Sequence, residues 1–183
     1  MEKRFNGQLK TSPKIIAITG AESTGKSTLS EALARHYNVP FEPEFARDYI
    51  LELGRPYTFE DVEFIAKKQL ERHHALAAST YPLVILDTWL LITKIWFEVV
   101  YNKVPAWIEQ EIQNSKIDLF LVCDTDLPWI ADKVRENGGE NREKLQNRYI
   151  KEIENYGFRY KIVNGVGEAR VKNAVSILDE LIG

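Results

Sequence analysis

The chain has 183 residues, 44% hydrophobic and 28% charged, with a formal net charge of −3. That suffices for one domain around one core, and the mild acid balance argues against binding along a nucleic-acid duplex, which relies on clustered Lys and Arg. A lone cysteine, Cys123, excludes an intrachain disulfide and a cysteine-based metal site. No apolar run approaches the length that spans a bilayer, and residues 1–13 are polar, without the apolar stretch of a secretory signal. The expected location is the cytoplasm, with no membrane partner. Residues 1–13 read as a flexible tail and 14–183 as a single domain, and homo-oligomerisation is left open.

Strands and helices alternate along the chain. Residues 14–19 (KIIAIT) form a short β-branched run, as in a parallel strand covered on both faces. Residues 27–36 carry helical spacing through Leu29, Ala32 and Leu33, and 39–41 make a short second strand. Residues 44–53 are helical and stop at Gly54. Thr58, with Asp61 three residues on, caps a helix running to about Ala78. A third strand spans 82–87 (PLVILD), followed by helices over 88–101 and 105–114, the latter with Pro at its first turn. A fourth strand lies at 117–123, and residues 128–135 read as a helix broken at Asn137-Gly138-Gly139. A charged helix over 141–156, a fifth strand at 159–163 and a helix over 168–182 complete the chain. Strands separated by helices imply an α/β domain with a parallel sheet covered on both faces.

The strongest motif is Gly20-Ala21-Glu22-Ser23-Thr24-Gly25-Lys26-Ser27, which fits the P-loop pattern G-x-x-x-x-G-K-[ST] between a buried-type strand and a helix. Gly20 lets the chain turn out of the strand, and Gly25 allows close approach of backbone to phosphate. The intervening amides make a concave anion site at a helix N-terminus. Lys26 supplies a cation to the β- and γ-phosphates, Ser27 suits a Mg²⁺ site, and Thr28 completes the contact run. Asp87, at the end of the third strand, is placed to hold Mg²⁺ or to take a proton from an acceptor. ATP and Mg²⁺ are the expected cofactors.

The other P-loop classes fit poorly. Asp87 is followed by Thr88-Trp89-Leu90 with no glycine, so the Asp-x-x-Gly of a switch GTPase is missing, and the string nearest to Asn-Lys-x-Asp, at 102–105, lacks its aspartate. A transporter ATPase needs a longer chain. A small-molecule kinase needs an acceptor pocket after the second strand and a basic lid after the fourth. Glu44, Phe45 and Arg47 offer an acid, an aromatic face and a guanidinium for the pocket. Lys133, Arg135 and Arg142 flank the Gly138-Gly139 hinge for the lid. Both sets have plainer readings: Glu44 and Arg47 have the spacing of a surface ion pair, and the lid cations alternate with Glu136, Glu140 and Glu143, as on a solvated face. Trp89 and Trp129 are placed to touch a flat ring. Trp96, Trp107 and Cys123 read as packing residues, and His73 and His74 as solvated surface.

Four segments together resemble a known family: 20–28 (GAESTGKST), 43–50 (PEFARDYI), Leu86-Asp87-Thr88, and 128–135 (PWIADKVR). They resemble the ribosylnicotinamide kinase domain of NadR proteins and the related NadR-like AAA-type P-loop ATPases, from about Ile15 to the C-terminus. The resemblance implies a five-stranded parallel sheet in the order 2-3-1-4-5. It also implies phosphorylation of nicotinamide riboside on its 5′-hydroxyl by ATP. With only 1–13 before the first strand, the expectation is a free-standing kinase without an adenylyltransferase domain. In that reading Glu44 or Asp87 is the base, and Arg47 holds a ribose or phosphate oxygen. Phe45, Trp89 or Trp129 stacks on the cationic nicotinamide. Arg135 and Arg142 close over the transferring phosphoryl, and adenine rests at Asn164 and Gly165. The alternatives are another nucleoside or nucleotide kinase, or a regulatory NTP-binding ATPase without a small-molecule acceptor.

Overall fold

The computed structural model describes residues 12–131 and 138–183. Five parallel strands, β1 (Lys14–Thr19), β2 (Phe41–Glu42), β3 (Leu83–Asp87), β4 (Leu119–Cys123) and β5 (Tyr160–Val163), form one sheet in the order β2-β3-β1-β4-β5. The expected topology is therefore present. Strands β3 and β4 flank β1 on opposite sides, so the strand order reverses beside the carboxyl end of β1. In open α/β sheets that reversal opens the crevice where ligands sit.

Among the described residues seven helices fill the connections: α1 (Lys26–Tyr37), α2 (Phe45–Glu52), α3 (Phe59–Ala77), α4 (Leu90–Tyr101), α5 (Ala106–Asn114), α6 (Glu140–Asn155) and α7 (Glu168–Ile182). Side-chain alternation along the strands divides the core into two layers. Ile15 and Ala17 of β1, Val84 and Leu86 of β3, and Phe120 and Val122 of β4 pack with α3, α4, α5 and α6. Ile16 and Ile18, Leu83 and Ile85, and Leu119 and Leu121 pack with α1 and α7. Each such Ile, Val, Leu or Phe side chain, fully buried, contributes roughly 1.5–3 kcal/mol. The central strands are apolar on both faces for this reason. At the sheet edge, β5 leaves Lys161 and Ile162 exposed.

Local chemistry sets the element boundaries. Thr58 and Asp61 form a reciprocal capping box at the start of α3. Strand β2 is shifted from the expected 39–41: Phe41 pairs with Ile85 and Glu42 with Leu86, while Pro40, which has no amide to donate, contributes only its carbonyl, to the Ile85 N–H. Helix α4 starts at Leu90 rather than Thr88, because Thr88 has a left-handed backbone (φ 67°) and cannot open a right-handed helix. Residues 128–131 of the expected 128–135 helix are not helical, and the rest of that segment lies outside the described residues. Among the described residues no helix is long and apolar enough to cross a membrane.

Candidate active site

The loop between β1 and α1 forms a cradle at the carboxyl edge of the sheet. Gly20 has φ 135°, and a Cβ there would stand 2.7 Å from the Cys123 carbonyl oxygen. No other residue fits that turn. Gly25, at φ 77°, caps α1 without any side-chain hydrogen bond, and the first turn of α1 holds no acidic residue. The leading amides and the positive end of the helix dipole are thus left for an anion. Ser27 and Thr28 are exposed at this helix start.

A loop that turns its amides outward turns its carbonyls inward, where they need donors. The Ala21 carbonyl accepts from Thr24 Oγ1 (2.8 Å) and from Lys26 Nζ (2.9 Å). The Glu22 and Ser23 carbonyls accept from Arg142 Nε (2.9 Å) and Nη2 (3.1 Å), and Arg142 Nη1 reaches the Leu127 carbonyl (2.7 Å). The Thr24 carbonyl accepts from Arg170, which also bonds the Gly165 carbonyl (2.7 Å) and pairs with Asp126. Gln146 accepts from the Ala21 amide (2.7 Å) and donates to the Cys123 carbonyl (2.9 Å).

Asp87 ends β3 in register with Ile18 of β1 and is 3% exposed. Burial pushes its carboxyl up from the ordinary value to about 6; the Glu44 charge adds to this, while the Ser27 hydroxyl, the Lys26 cation and the Glu44 backbone amide oppose it. Its Oδ1 is buried without a hydrogen-bond partner among the described residues. An unpaired buried carboxylate oxygen beside the Ser27 hydroxyl fits a divalent cation. No cluster of three or more His, Cys, Asp and Glu side chains occurs among the described residues, and Mg²⁺ needs only one or two carboxylates when phosphates and water complete its shell.

The structure thus brings Gly20–Thr28, Asp87 and Glu44 together. Glu44 is the residue preceding α2, half-buried, and Arg47 lies on that helix. Phe45 packs with Tyr49 and Phe64, and the Arg72 guanidinium lies 4.7 Å from its ring centroid, so one face is already covered by a cation. The Trp129 indole N–H faces Glu22 Oε2 at 3.5 Å, which puts its ring at the cradle rather than on the α2 side. Asn164 and Gly165 are tied down by Asn173, Asp126 and Arg170, so one guanidinium links that loop to the cradle.

Three expectations change. Trp89 is 2% exposed: its N–H donates to His73 Nδ1 (3.0 Å) and its ring packs on Phe120 and Phe158, so it is core and offers no face to a ligand. His73 is buried, not solvated, and burial holds its imidazole down at about 4, leaving it neutral as that acceptor. Arg142 is 7% exposed with all three nitrogens on backbone carbonyls, which makes it a brace under the cradle instead of a cation that swings in. Arg135 lies outside the described residues.

Sequence reasoning missed Gln146 and Arg170. The available signal was polarity on an inward face: Arg142, Gln146, Tyr149 and Ile153 follow helical spacing, as do Arg170, Ala174 and Leu178.

A family model described as an AAA domain matches residues 15–170, and the chain belongs to that family. The trifunctional NAD biosynthesis/regulator protein NadR of Escherichia coli (strain K12) is 24% identical over 178 residues, covering 93% of this chain and 43% of that protein. The chain thus spans less than half the length of this relative. Among solved structures, a NadR protein in complex with NR superposes with a TM-score of 0.78 at 21% identity, covering 93% of this chain and 51% of that one. Deoxyadenosine kinase from M. mycoides with bound dATP gives 0.62 at 17% identity, covering 91% and 99%. These likenesses show a fold shared with P-loop nucleoside kinases.

Arg142→Ala is expected to lower the stability of the ligand-free protein by about 3 kcal/mol, since buried carbonyls lose charged donors. Denaturant unfolding measures this, and a midpoint equal to wild type would restore the swinging-cation reading.

Proposed function

We propose that this P-loop domain is an ATP-dependent kinase that phosphorylates the 5′-hydroxyl of a nucleoside, with nicotinamide riboside as the acceptor. The observation that carries the reading is the uncapped, acid-free N-terminus of α1 beside a buried carboxylate with an unpaired oxygen. One side is built for phosphates and the other for a cation or a proton. The choice of acceptor is supported by the NadR relatives, and by the NR bound to the NadR protein that shares the fold, NR being read as nicotinamide riboside.

The amides of 22–25 and the Lys26 ammonium hold the β- and γ-phosphates, whose arrival releases Lys26 Nζ from the Ala21 carbonyl. Ser27 and Asp87 would hold Mg²⁺, which would supply positive charge against the phosphates. Glu44 accepts the 5′-hydroxyl proton as the 5′-oxygen bonds to Pγ. The bond from Pγ to the bridging oxygen breaks, and ADP leaves with the electron pair. Asp87, buried beside Ser27 and Lys26, is better placed for the cation than for the proton. Arg47 orients the ribose, and Phe45, on the same helix, meets the nicotinamide. Adenine lies against Asn164 and Gly165.

A panel of nucleosides with ATP, followed by ADP release, tests the reading. Turnover is expected to depend on the acceptor and to be highest with nicotinamide riboside. Highest turnover with a deoxynucleoside or a nucleoside monophosphate would transfer the site to that class. Slow hydrolysis indifferent to every acceptor would make the chain a regulatory ATPase.

Lys26→Ala is expected to lower kcat by roughly a hundredfold or more at unchanged thermal midpoint, because the charge acts where negative charge gathers in transfer. Near-wild-type kcat would remove the loop from the chemistry.

Asp87 also gives a pH dependence. Since the carboxylate is the working form, kcat/KM is expected to fall as pH drops through about 6. Folding stability runs the other way. The folded protein binds this proton more tightly than the unfolded chain, so stability contributed by Asp87 is present at low pH and lost as pH rises through about 6. Asp87→Asn is therefore expected to be inactive yet more stable at neutral pH, by on the order of 2 kcal/mol. Parallel kinetics and urea unfolding check both halves.

A further inference from the structure

The segment that carries Asp87 is strained. Thr88, the next residue, is β-branched yet sits at φ 67°, which a residue of that shape adopts only when its surroundings impose it. The surroundings are visible. The Thr88 amide extends the β3–β1 ladder by donating to the Ile18 carbonyl at 3.0 Å, which fixes the backbone on the sheet side. On the other side stands α3. Gln69 Nε2 faces Thr88 Oγ1 at 3.5 Å, while Gln69 Oε1 accepts from Thr93 Oγ1 at 2.8 Å. One helical turn on, His73 Nδ1 accepts the indole N–H of Trp89 at 3.0 Å. Gln69, His73, Thr88, Trp89 and Thr93 are all buried.

Gln69 is a polar side chain on the apolar face of α3, and phosphate, metal and acceptor chemistry all leave it without a role. Its amide spans Thr88, before α4, and Thr93, in the first turn of α4. It thereby ties the strained turn to the helix that follows. Helix α3 also carries Phe64 and Asp61, which meet Phe45 and Tyr49 of α2 on the proposed acceptor side. One helix therefore backs both the acceptor wall and the Asp87 turn.

We propose that Gln69 is a positioning residue: by bridging Thr88 and Thr93 it holds Thr88 in the left-handed conformation, and so aims the Asp87 carboxylate into the phosphate cradle. Gln69 touches neither phosphate nor acceptor, and the inference rests on the kinase reading of Asp87 only for its kinetic arm.

The test is a cycle of Gln69→Leu and Thr88→Gly, with Gln69→Met in place of the first should Gln69→Leu fail to fold. Glycine adopts φ 67° without strain, so a chain with Thr88→Gly no longer needs the amide to hold the turn. In the natural background Gln69→Leu is expected to lower kcat about tenfold or more, with both KM values within about twofold, because a misaimed carboxylate harms transfer more than ground-state binding. In the Thr88→Gly background the same change is expected to alter kcat by less than about twofold. Crystal structures of the ligand-free variants give a second readout: Thr88 leaves the left-handed region in Gln69→Leu, whereas in Thr88→Gly the backbone at this position stays there with or without Gln69. Equal loss of kcat in both backgrounds would mean that Gln69 acts by packing alone, and the proposal falls. It falls equally if Gln69→Leu keeps Thr88 left-handed and kcat unchanged. If no nucleoside gives turnover with the natural chain, the structures decide alone. Thr88 leaving the left-handed region then supports the positioning role while the kinase reading fails, and Thr88 staying overturns the proposal.

Discussion

The whole arrangement depends on where the carbonyls of the phosphate cradle go. Amide hydrogens can converge on an anion only if the carbonyl oxygens of the same peptides point back into the protein, and each buried carbonyl without a donor is costly. Arg142 and Arg170 supply those donors for Glu22, Ser23 and Thr24, and Gln146 fixes the Ala21 amide. Two guanidiniums suit this task because each presents several N–H groups in one plane at fixed angles. Helices α6 and α7 are therefore part of the cradle, although they follow it by more than a hundred residues.

The same bracing brings charge close to the site without placing it in the chemistry. Arg142 and Arg170 are buried and committed, so their charge raises the potential at the anion site while their nitrogens stay with the backbone. Lys26 differs. It is partly exposed and holds a single carbonyl, a contact that a phosphate can replace. This distinction between a buried, fully bonded cation and a partly exposed, singly bonded one separates framework from the proposed working group.

At Asp87 the fold bears a cost in stability, which the proposed kinase reading explains. Burial disfavours the carboxylate, the neighbouring Glu44 adds repulsion, and the adjoining Thr88 carries backbone strain. An amide or aliphatic side chain at the end of β3 would be easier to bury. A carboxylate there, with one oxygen unpaired among the described residues, is what the proposed cation site calls for.

Fold class, strand count and the cradle were legible in the residues alone. These follow from local rules: apolar runs mark strands buried on both faces, helical spacing marks the connections, and only glycine fits the turn at Gly20. The place of Asp87 at the end of β3 was legible because it ends such a run, and the strand order followed from the resemblance the motifs carry. The roles of Arg142, Trp89, His73, Gln146 and Arg170 came only with the folded chain. A sequence shows that an arginine carries five donors but not which carbonyls will lie within reach. Flanking glycines made Arg142 look mobile, and proximity to Asp87 made Trp89 look like a ligand platform. In the fold, helical phase turns Arg142 inward beneath the cradle, and the left-handed turn at Thr88 sends the Trp89 ring into the core against His73. Contacts between residues so far apart in the chain exist only once the sheet has closed and the helices have docked, because separation in sequence carries no information about which buried polar group will find which partner.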